Sequence, residues 1–356
     1  MKNFKPHCLP TGIGSIPHKD ARAGCEFVLA NFKEIPFWPQ LPKRSFLENM
    51  YVQYCEGLPC VKIEEEKMYL DTSTGLLEEA ERFYENFLSE DINKFAIGPE
   101  YAQGLYRLLD MKDSLRECQY IKGQITGPIS FGMQVTDENK KAIFYNDTLR
   151  DIVVKNLLRK AQWQEKVLSK FSKPIIMFLD EPYLSAFGSA FFNVSREQIV
   201  DALEEIFSNL TSITGVHCCG NTDWSILLDT SVDIISLDAY NFGDNLFLYS
   251  EKLKRFLERG GVLAWGIVPT DEVFIKNSSF PLISKNKEEK TKNEEKKMKL
   301  FNVLKRIIIR MEDLGFKEEE ILNFSLITPS CGVGTLDVEL AEDIFMMTGA
   351  LATAIK

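Results

Sequence analysis

Short apolar runs alternate with longer amphipathic stretches along most of this 356-residue chain. The runs are rich in β-branched and aromatic residues, as buried strands are. The stretches between them repeat apolar residues about every 3.6 positions, which is the period of a helix with one buried face. Because a buried strand followed by a helix is the unit of a parallel sheet, this alternation predicts an α/β fold.

Seven runs have the length and composition of buried strands. They are residues 11–16, 117–122, 174–179, 213–217, 233–237, 262–267 and 324–328. An eighth strand is expected between residues 34 and 64, and its best candidate is the segment 35–42, although three prolines there remove backbone donors. Helices are predicted over residues 151–171, 195–209, 245–258, 295–314 and 336–355.

About eight such units favour a closed (β/α)8 barrel, the TIM barrel, over the competing open doubly wound sheet. The first 115 residues are less regular, and we expect them to add helices and a hairpin near residues 61–70. No linker rich in Pro, Ser or Gly divides the chain, so residues 1–356 are predicted to form a single domain. Residues 284–299 contain 11 charged residues of both signs in 16 positions and are predicted to be an exposed insertion.

The charge and cysteine content exclude several classes of protein. With 42 Lys and Arg against 52 Asp and Glu, the net charge is −10, which disfavours binding to nucleic-acid phosphates. No apolar run reaches the roughly 18 residues that would predict a transmembrane helix. The first residues lack the apolar centre of a secretory signal, and eight cysteines are too sparse for a disulfide scaffold. We therefore expect a cytoplasmic protein with reduced thiols.

Metal-binding residue types cluster at predicted strand ends. His217 and Cys219 lie two positions apart, so a continuing strand would direct both to one side and Cys218 to the other. Cys331 follows the last predicted strand, and in a barrel all strands end at the same face. Nitrogen and sulfur donors are those that Zn²⁺ prefers, and Asp238 at the end of the next strand is a possible oxygen ligand. The alternative is a set of buried cysteines with a hydrogen-bonded histidine.

Two further strand ends carry polar residues. Asp180 and Glu181 follow one run, and alternation sends them to opposite sides, so one is expected at the barrel mouth to bind a substrate amine or act as a general base. The alternative is that one of them caps the next turn. Ser15, in the glycine-rich end of the first run, could contact a substrate carboxylate. A dinucleotide loop is not predicted there, because Pro17 occupies the position of the third glycine.

Six short motifs in this order resemble a known family. The set resembles the C-terminal catalytic barrel of cobalamin-independent methionine synthase, and is most similar to its short single-barrel relatives. These belong to a superfamily with uroporphyrinogen decarboxylase and the corrinoid-dependent thiol methyltransferases. The motifs are Gly-Ile-Gly-Ser-Ile-Pro-His at 12–18, Thr-Gly-Pro-Ile at 126–129, Asp-Glu-Pro at 180–182, His-Cys-Cys-Gly-Asn at 217–221, Ile-Ser-Leu-Asp at 235–238 and Pro-Ser-Cys-Gly at 329–332.

The resemblance implies a zinc-dependent methyltransferase. His217, Cys219 and Cys331 match zinc ligands of the family, and Asp238 stands where the family has a glutamate ligand. Asp180 matches the aspartate that holds the amino group of homocysteine, and Ser15 matches the serine near its carboxylate. The implied reaction is attack of the activated thiol on a methyl donor, which with homocysteine gives methionine.

Two departures from the family bear on the donor. Residues 265–270 contain no counterpart of its catalytic histidine, and no tryptophan can be matched to the one that stacks on folate. Both favour a methyl-corrinoid, which a separate corrinoid protein often carries. One alternative is transfer to another thiol such as coenzyme M, and another is a non-catalytic barrel that binds a corrinoid or a thiol. A third is a decarboxylase similar to uroporphyrinogen decarboxylase, which uses arginines to hold substrate carboxylates. Only Arg22 and Arg44 lie near the first strand end here.

Overall fold

A computed structural model describes residues 4–190, 192–271 and 287–355. Nine strands are present in this part of the chain. In chain order they are β1 (Leu9–Pro10), β2 (Val61–Glu64), β3 (Lys67–Leu70), β4 (Ile121–Thr126), β5 (Ile175–Asp180), β6 (Ile213–Cys218), β7 (Ile234–Leu237), β8 (Val262–Val268) and β9 (Ser325–Pro329).

Twelve α-helices accompany these strands in the described residues. They are α1 (Ala21–Asn31), α2 (Leu76–Leu88), α3 (Gln103–Asp110), α4 (Pro128–Gln134), α5 (Asp147–Leu168), α6 (Arg196–Phe207), α7 (Ser225–Leu228), α8 (Ala239–Phe242), α9 (Ser250–Glu258), α10 (Lys287–Glu312), α11 (Glu318–Asn323) and α12 (Val338–Ile355). No helix among the described residues combines the length and the apolar content that crossing a membrane requires.

Seven of the strands form one curled parallel sheet. Its order is β1-β9-β8-β7-β6-β5-β4, so the first strand of the chain pairs with the last. An open doubly wound sheet would instead reverse its strand order near the middle. The order and the curl are consistent with a TIM-like fold, and the predicted α/β class is confirmed.

The sheet does not close into the complete eight-stranded barrel that was predicted. Between β4 and the residues after β1, the described chain has only two isolated bridges, one joining Phe37 to Lys122 and one joining Ser15 to Gln40. The intervening segment carries Pro36, Pro39 and Pro42. Because proline has no amide hydrogen, this segment cannot form a continuous ladder, and the eighth strand is absent for that reason.

Side chains bond across this unclosed seam. The Tyr54 hydroxyl donates to the backbone oxygen of Gln124 at 2.9 Å and accepts from the Gln40 side chain at 3.0 Å. Gln164 donates to the same Gln124 oxygen at 3.0 Å and accepts from the Trp38 indole at 2.8 Å. We call these five residues the seam network. It pairs buried polar groups that a regular eighth strand would have paired through its backbone.

Some predicted boundaries were wrong. The first ladder strand is β1, and residues 11–16 continue beyond it as irregular chain that bonds to Ile327 and Gln40 through backbone atoms. The run predicted at 117–122 begins later, at Ile121, and extends to Thr126. Both shifts occur beside the seam, where side chains and single bridges replace regular strand pairing.

Two predicted features outside the main sheet are the N-terminal hairpin and the charged segment 284–299. β2 and β3 pair antiparallel, which confirms the predicted hairpin near residues 61–70. Within the predicted insertion 284–299, residues 284–286 lie outside the described part of the chain. Residues 287–299 form the beginning of α10, so the helix predicted to start at 295 starts earlier.

Two apolar layers position the strands. The smaller cluster lies on the inner face of the curled sheet, and the larger one lies between the sheet and its helices. The inner cluster consists of Phe4, Leu9, Ile35, Ile176, Phe178, Ile213, Ile234, Val262, Ala264 and Leu326. Because side chains alternate along a strand, the residue two positions after an inner residue also faces inward.

We predict that Tyr54→Phe lowers the free energy of unfolding by about 1–2 kcal/mol, because it removes two buried hydrogen bonds of the seam network without changing the ring. Denaturant unfolding would measure the change. Tyr69→Phe is the matched control, since its hydroxyl bonds only to Glu64 on the exposed hairpin. Equal effects of the two substitutions would contradict a role for the seam network.

Candidate metal and substrate site

The carboxyl ends of β5, β6 and β7 bring three polar side chains to the inner face. In the parallel register Asp180 lies opposite His217, and His217 lies opposite Ser236. Asp180 and Ser236 follow the inner-cluster residues Phe178 and Ile234 by two positions. His217 follows by two positions Gly215, which pairs with both of those residues in the register. All three are buried. The apolar inner cluster therefore gives way to a polar layer at the carboxyl edge, where a TIM-like fold has its active site.

His217, Cys219 and Cys331 come together at this edge. One ligand atom from each of the three residues lies within 4.8 Å of the others. Cys219 directly follows β6, and Cys331 follows β9 by two residues. Cys218 is buried in the outer core, and its thiol donates to the Gly220 oxygen at 3.4 Å. We call His217, Cys219 and Cys331 the ligand cluster.

The two nitrogens of His217 have different surroundings. Nδ1 lies 3.0 Å from the Ser236 hydroxyl, while Nε2 is buried and has no hydrogen-bond partner. A buried polar atom without a partner is costly unless something binds it. Donation from Nδ1 to Ser236 would leave a lone pair on Nε2, beside two sulfurs. This donor set fits a tetrahedral Zn²⁺ with three protein ligands and one position open for another ligand.

The two thiols of the ligand cluster are coupled. The hydrogen bond between them, with Cys331 as the donor, lowers the pKa of Cys219, and the neighbouring His217 adds to this effect against the opposing effect of burial. The same bond and burial raise the pKa of Cys331. Cys219 is therefore the thiol that ionises first, and a thiolate is the form that binds metal.

Asp238 does not join the ligand cluster. One of its carboxylate oxygens accepts from the Asn241 backbone amide at 2.9 Å, and the other accepts from the Asn241 side chain at 2.7 Å. These bonds cap the beginning of α8. Burial raises the pKa of Asp238, and both bonds oppose that rise. The structure thus places this carboxylate as a helix cap beside the cluster.

Asp180 faces the interior next to His217. Its Oδ1 atom is buried and has no hydrogen-bond partner. Burial raises the pKa of Asp180 to about 6, although the neighbouring His217 and Lys122 oppose that rise. An unpaired buried carboxylate oxygen is suited to accept from a substrate donor such as an ammonium group.

Lys122 lies in the interior on β4. Its Nζ donates to the Ile13 backbone oxygen at 2.5 Å and lies 4.7 Å from the centre of the Phe178 ring. Burial lowers the pKa of Lys122 to about 8, and Asp180 opposes that fall. Lys122 thus joins β4 to the turn before Ser15, and its ammonium group interacts electrostatically with the Asp180 carboxylate.

Glu181 points away from the ligand cluster. Its two carboxylate oxygens accept from the backbone amides of Ile129 and Ser130, at 2.9 and 2.7 Å. Burial raises the pKa of Glu181 to about 7, and these bonds oppose that rise. The carboxylate therefore caps α4, an earlier element of the chain, and does not cap the next turn as the capping alternative predicted. Asp180 is the acid that faces inward.

Ser15 contacts the turn that follows Cys331. Its Oγ atom accepts from the Gly334 amide at 3.3 Å, and its backbone oxygen accepts from the Val333 amide at 3.1 Å. The hydroxyl proton can still be donated to a ligand. The structure therefore places Ser15 against the turn that follows Cys331, with its hydroxyl oxygen already accepting one hydrogen bond.

Sequence reasoning missed Ser236 and Lys122. Ser236 follows the inner residue Ile234 by two positions, so alternation alone could have identified it as a neighbour of His217. Lys122 is a lysine within an apolar strand, which signals a buried cation. Thr328, whose buried hydroxyl has no partner, also follows an inner residue by two positions.

Comparisons with solved structures support the fold. A Listeria monocytogenes protein assigned as a vitamin-B12-independent methionine synthase is 12% identical with a TM-score of 0.57, covering 98% of this chain and 99% of that one. A methyltransferase from Methanosarcina mazei is 14% identical with a TM-score of 0.51, covering 97% of this chain and 94% of that one. No protein-family model and no curated protein sequence matches this chain.

We predict that the purified protein binds about one zinc ion per chain and that Cys331→Ala abolishes this binding, because two ligands hold the ion too weakly. Metal analysis after dialysis would measure the stoichiometry. Cys218→Ala is the matched control, because this thiol points away from the ligand cluster, and it should keep the zinc. Full zinc content in Cys331→Ala would rule out the assignment.

We further predict that Ser236→Ala weakens zinc binding about 10-fold or more, since the hydrogen-bond partner of a ligating histidine sets its tautomer and orientation. Competition with a chromophoric chelator would give the affinity. Ser325→Ala serves as the control, because this buried serine bonds to Trp265 and Ile321 instead. If both variants bind zinc like the unmodified protein, Ser236 does not orient His217.

Proposed function

We propose that the protein is a zinc-dependent methyltransferase that activates a small thiol, with homocysteine as the acceptor and methionine as the product. The observation that carries this proposal is the ligand cluster, in which a buried and unpartnered histidine nitrogen lies beside two cysteines. Three protein ligands leave a fourth position for a substrate thiol. When bound there, zinc would lower the pKa of that thiol, so that its sulfur is nucleophilic at neutral pH.

The chain's own residues would orient the acceptor. His217, Cys219 and Cys331 would hold the metal, and Ser236 would fix the imidazole. The unpaired oxygen of Asp180 would accept from the amino group of homocysteine, while the remaining proton of Ser15 would be donated to its carboxylate. With the amino and carboxylate groups of the acceptor held in this way, its thiolate sulfur would attack the methyl carbon of the donor. The sulfur–carbon bond would form as the bond to the donor breaks, and the donor would leave with the electron pair.

The structural neighbours agree with this class of reaction, since one is assigned as a methionine synthase and the other is a methyltransferase. For the donor we propose a methyl-corrinoid, supplied by a separate corrinoid protein. The tryptophans support this choice, because all four of them pack in the outer core and so cannot stack on a folate in the interior. A corrinoid donor also needs no protonated pterin as the leaving group.

The decarboxylase alternative lacks support from the two arginines on which it would depend. Arg22 pairs with Glu26 at 2.8 Å on the surface of α1, and Arg44 pairs with the buried Glu48 at 2.8 Å. Both guanidinium groups are therefore engaged with carboxylates of the chain itself. Transfer to a different thiol and non-catalytic binding stay as outcomes of the following experiment.

The decisive experiment incubates the zinc-loaded protein with free methylcobalamin and, separately, with methyl-tetrahydrofolate. Homocysteine, coenzyme M and other small thiols would be the acceptors, and methylated thiols would be measured by mass spectrometry. We expect methionine from homocysteine and methylcobalamin only. Product formation by a metal-free preparation would overturn the zinc mechanism. Zinc and thiol binding without product from any donor would favour a non-catalytic barrel.

We predict that Asp180→Asn raises the KM for homocysteine about 10-fold or more, because it removes a charge-assisted hydrogen bond to the amino group. Zinc content should not change. The matched control is a second substrate, 4-mercaptobutyrate, which is homocysteine without its amino group and should show the same KM with both proteins. An equal loss for both thiols would mean that Asp180 does not recognise the amino group.

A further inference from the structure

The turn that carries Cys331 is fastened on both sides. On its N-terminal side, the Ser330 amide donates to the Val268 oxygen at 2.8 Å, and the Ser330 hydroxyl accepts from the Thr270 amide at 3.1 Å. On its C-terminal side, the contacts are the two hydrogen bonds from Val333 and Gly334 to Ser15. Ser15 is thus the anchor of one side of the turn.

The approach of Ser15 to this turn requires glycine. A methyl group at position 332 would lie 2.3 Å from Ser15 Oγ, and one at position 334 would lie 2.8 Å from Ser15 Cβ. Real carbon atoms do not approach so closely. Gly332 has no left-handed φ, so its backbone conformation is open to alanine. Glycine at position 332 is therefore needed to keep the Ser15 hydroxyl in the orientation that bonds to Gly334.

Ser15 is itself held by residues of neighbouring elements. Its chain neighbours bond to Gln40, since the Ile16 amide donates to the Gln40 oxygen at 2.9 Å and the Gln40 amide donates to the Gly14 oxygen at 3.0 Å. Lys122 binds the Ile13 oxygen from the interior. These bonds restrain the segment that contains Ser15, and the bonds from Ser15 restrain the turn after Cys331.

We infer that Ser15 is a positioning residue for the metal centre, which holds the Cys331 turn so that its sulfur meets His217 and Cys219. This role rests on the proposed zinc site and is separate from any contact of Ser15 with a substrate. Ser15 Oγ accepts from Gly334 and so limits where the turn can move. Without that bond, Cys331 would explore positions from which it cannot complete the ligand cluster.

A double-mutant cycle tests this inference through zinc affinity, measured by chelator competition without substrate. Ser15→Ala should weaken zinc binding roughly fivefold, the typical value of one lost hydrogen bond. Gly332→Ala should weaken it at least as much, because the new methyl group forces the Ser15 hydroxyl away from Gly334. In Ser15→Ala/Gly332→Ala the clash is gone, because the methyl group then meets Cβ and the backbone nitrogen of residue 15 at 3.6 and 3.9 Å, which are ordinary contact distances. The double variant should therefore bind no more weakly than Ser15→Ala.

The controls separate this inference from the proposed function. Gly349→Ala adds a methyl group that approaches its nearest neighbour, the Asn31 oxygen, at only 4.0 Å, and it should leave zinc affinity unchanged. Thermal unfolding of each metal-free variant verifies that folding is intact. If the unmodified protein binds no zinc, the proposed function fails. If it binds zinc but Ser15→Ala is unaffected, or the two substitutions are additive, the positioning role alone is overturned.

Discussion

The parallel register of β5, β6 and β7 determines which side chains meet at the carboxyl edge of the sheet. Parallel strands that are paired in register place equivalent positions side by side, so a polar residue at the end of one strand lies next to that of the following strand. Asp180, His217 and Ser236 form such a row. A slip of one residue in β6 would turn His217 outward and Cys218 inward, which would dismantle the ligand cluster.

The incomplete closure of the sheet has a direct bearing on this site. Prolines prevent the segment after Ile35 from acting as a regular eighth strand, and side chains take over the pairing. The seam network bonds to the backbone of β4 at Gln124, two residues from Lys122. Lys122 in turn binds the turn that ends at Ser15, and Ser15 binds the turn after Cys331. Polar side chains thus connect the irregular seam to a residue of the ligand cluster.

Regular strands far from the seam were predictable from the sequence, because burial on both faces makes them short apolar runs with clear ends. β5 to β9 begin within one residue of their predicted positions. Near the seam the same reasoning failed, since the structure of residues 11–16 and 35–42 depends on partners distant in sequence. The roles of the acids were only half predictable. Alternation separated Asp180 from Glu181, but it could not indicate which one caps a helix.

The sequence by itself determined the α/β class, the hairpin and the grouping of His217 with Cys219, because all of these depend on local periodicity and spacing. Tertiary structure decided what depends on distant partners. It brought Cys331 to His217 across more than 100 residues, assigned Asp238 and Glu181 to helix ends, and left Nε2 of His217 without a partner. The physical reason is that a buried polar atom takes its role from the atoms around it, and only the folded chain sets those neighbours.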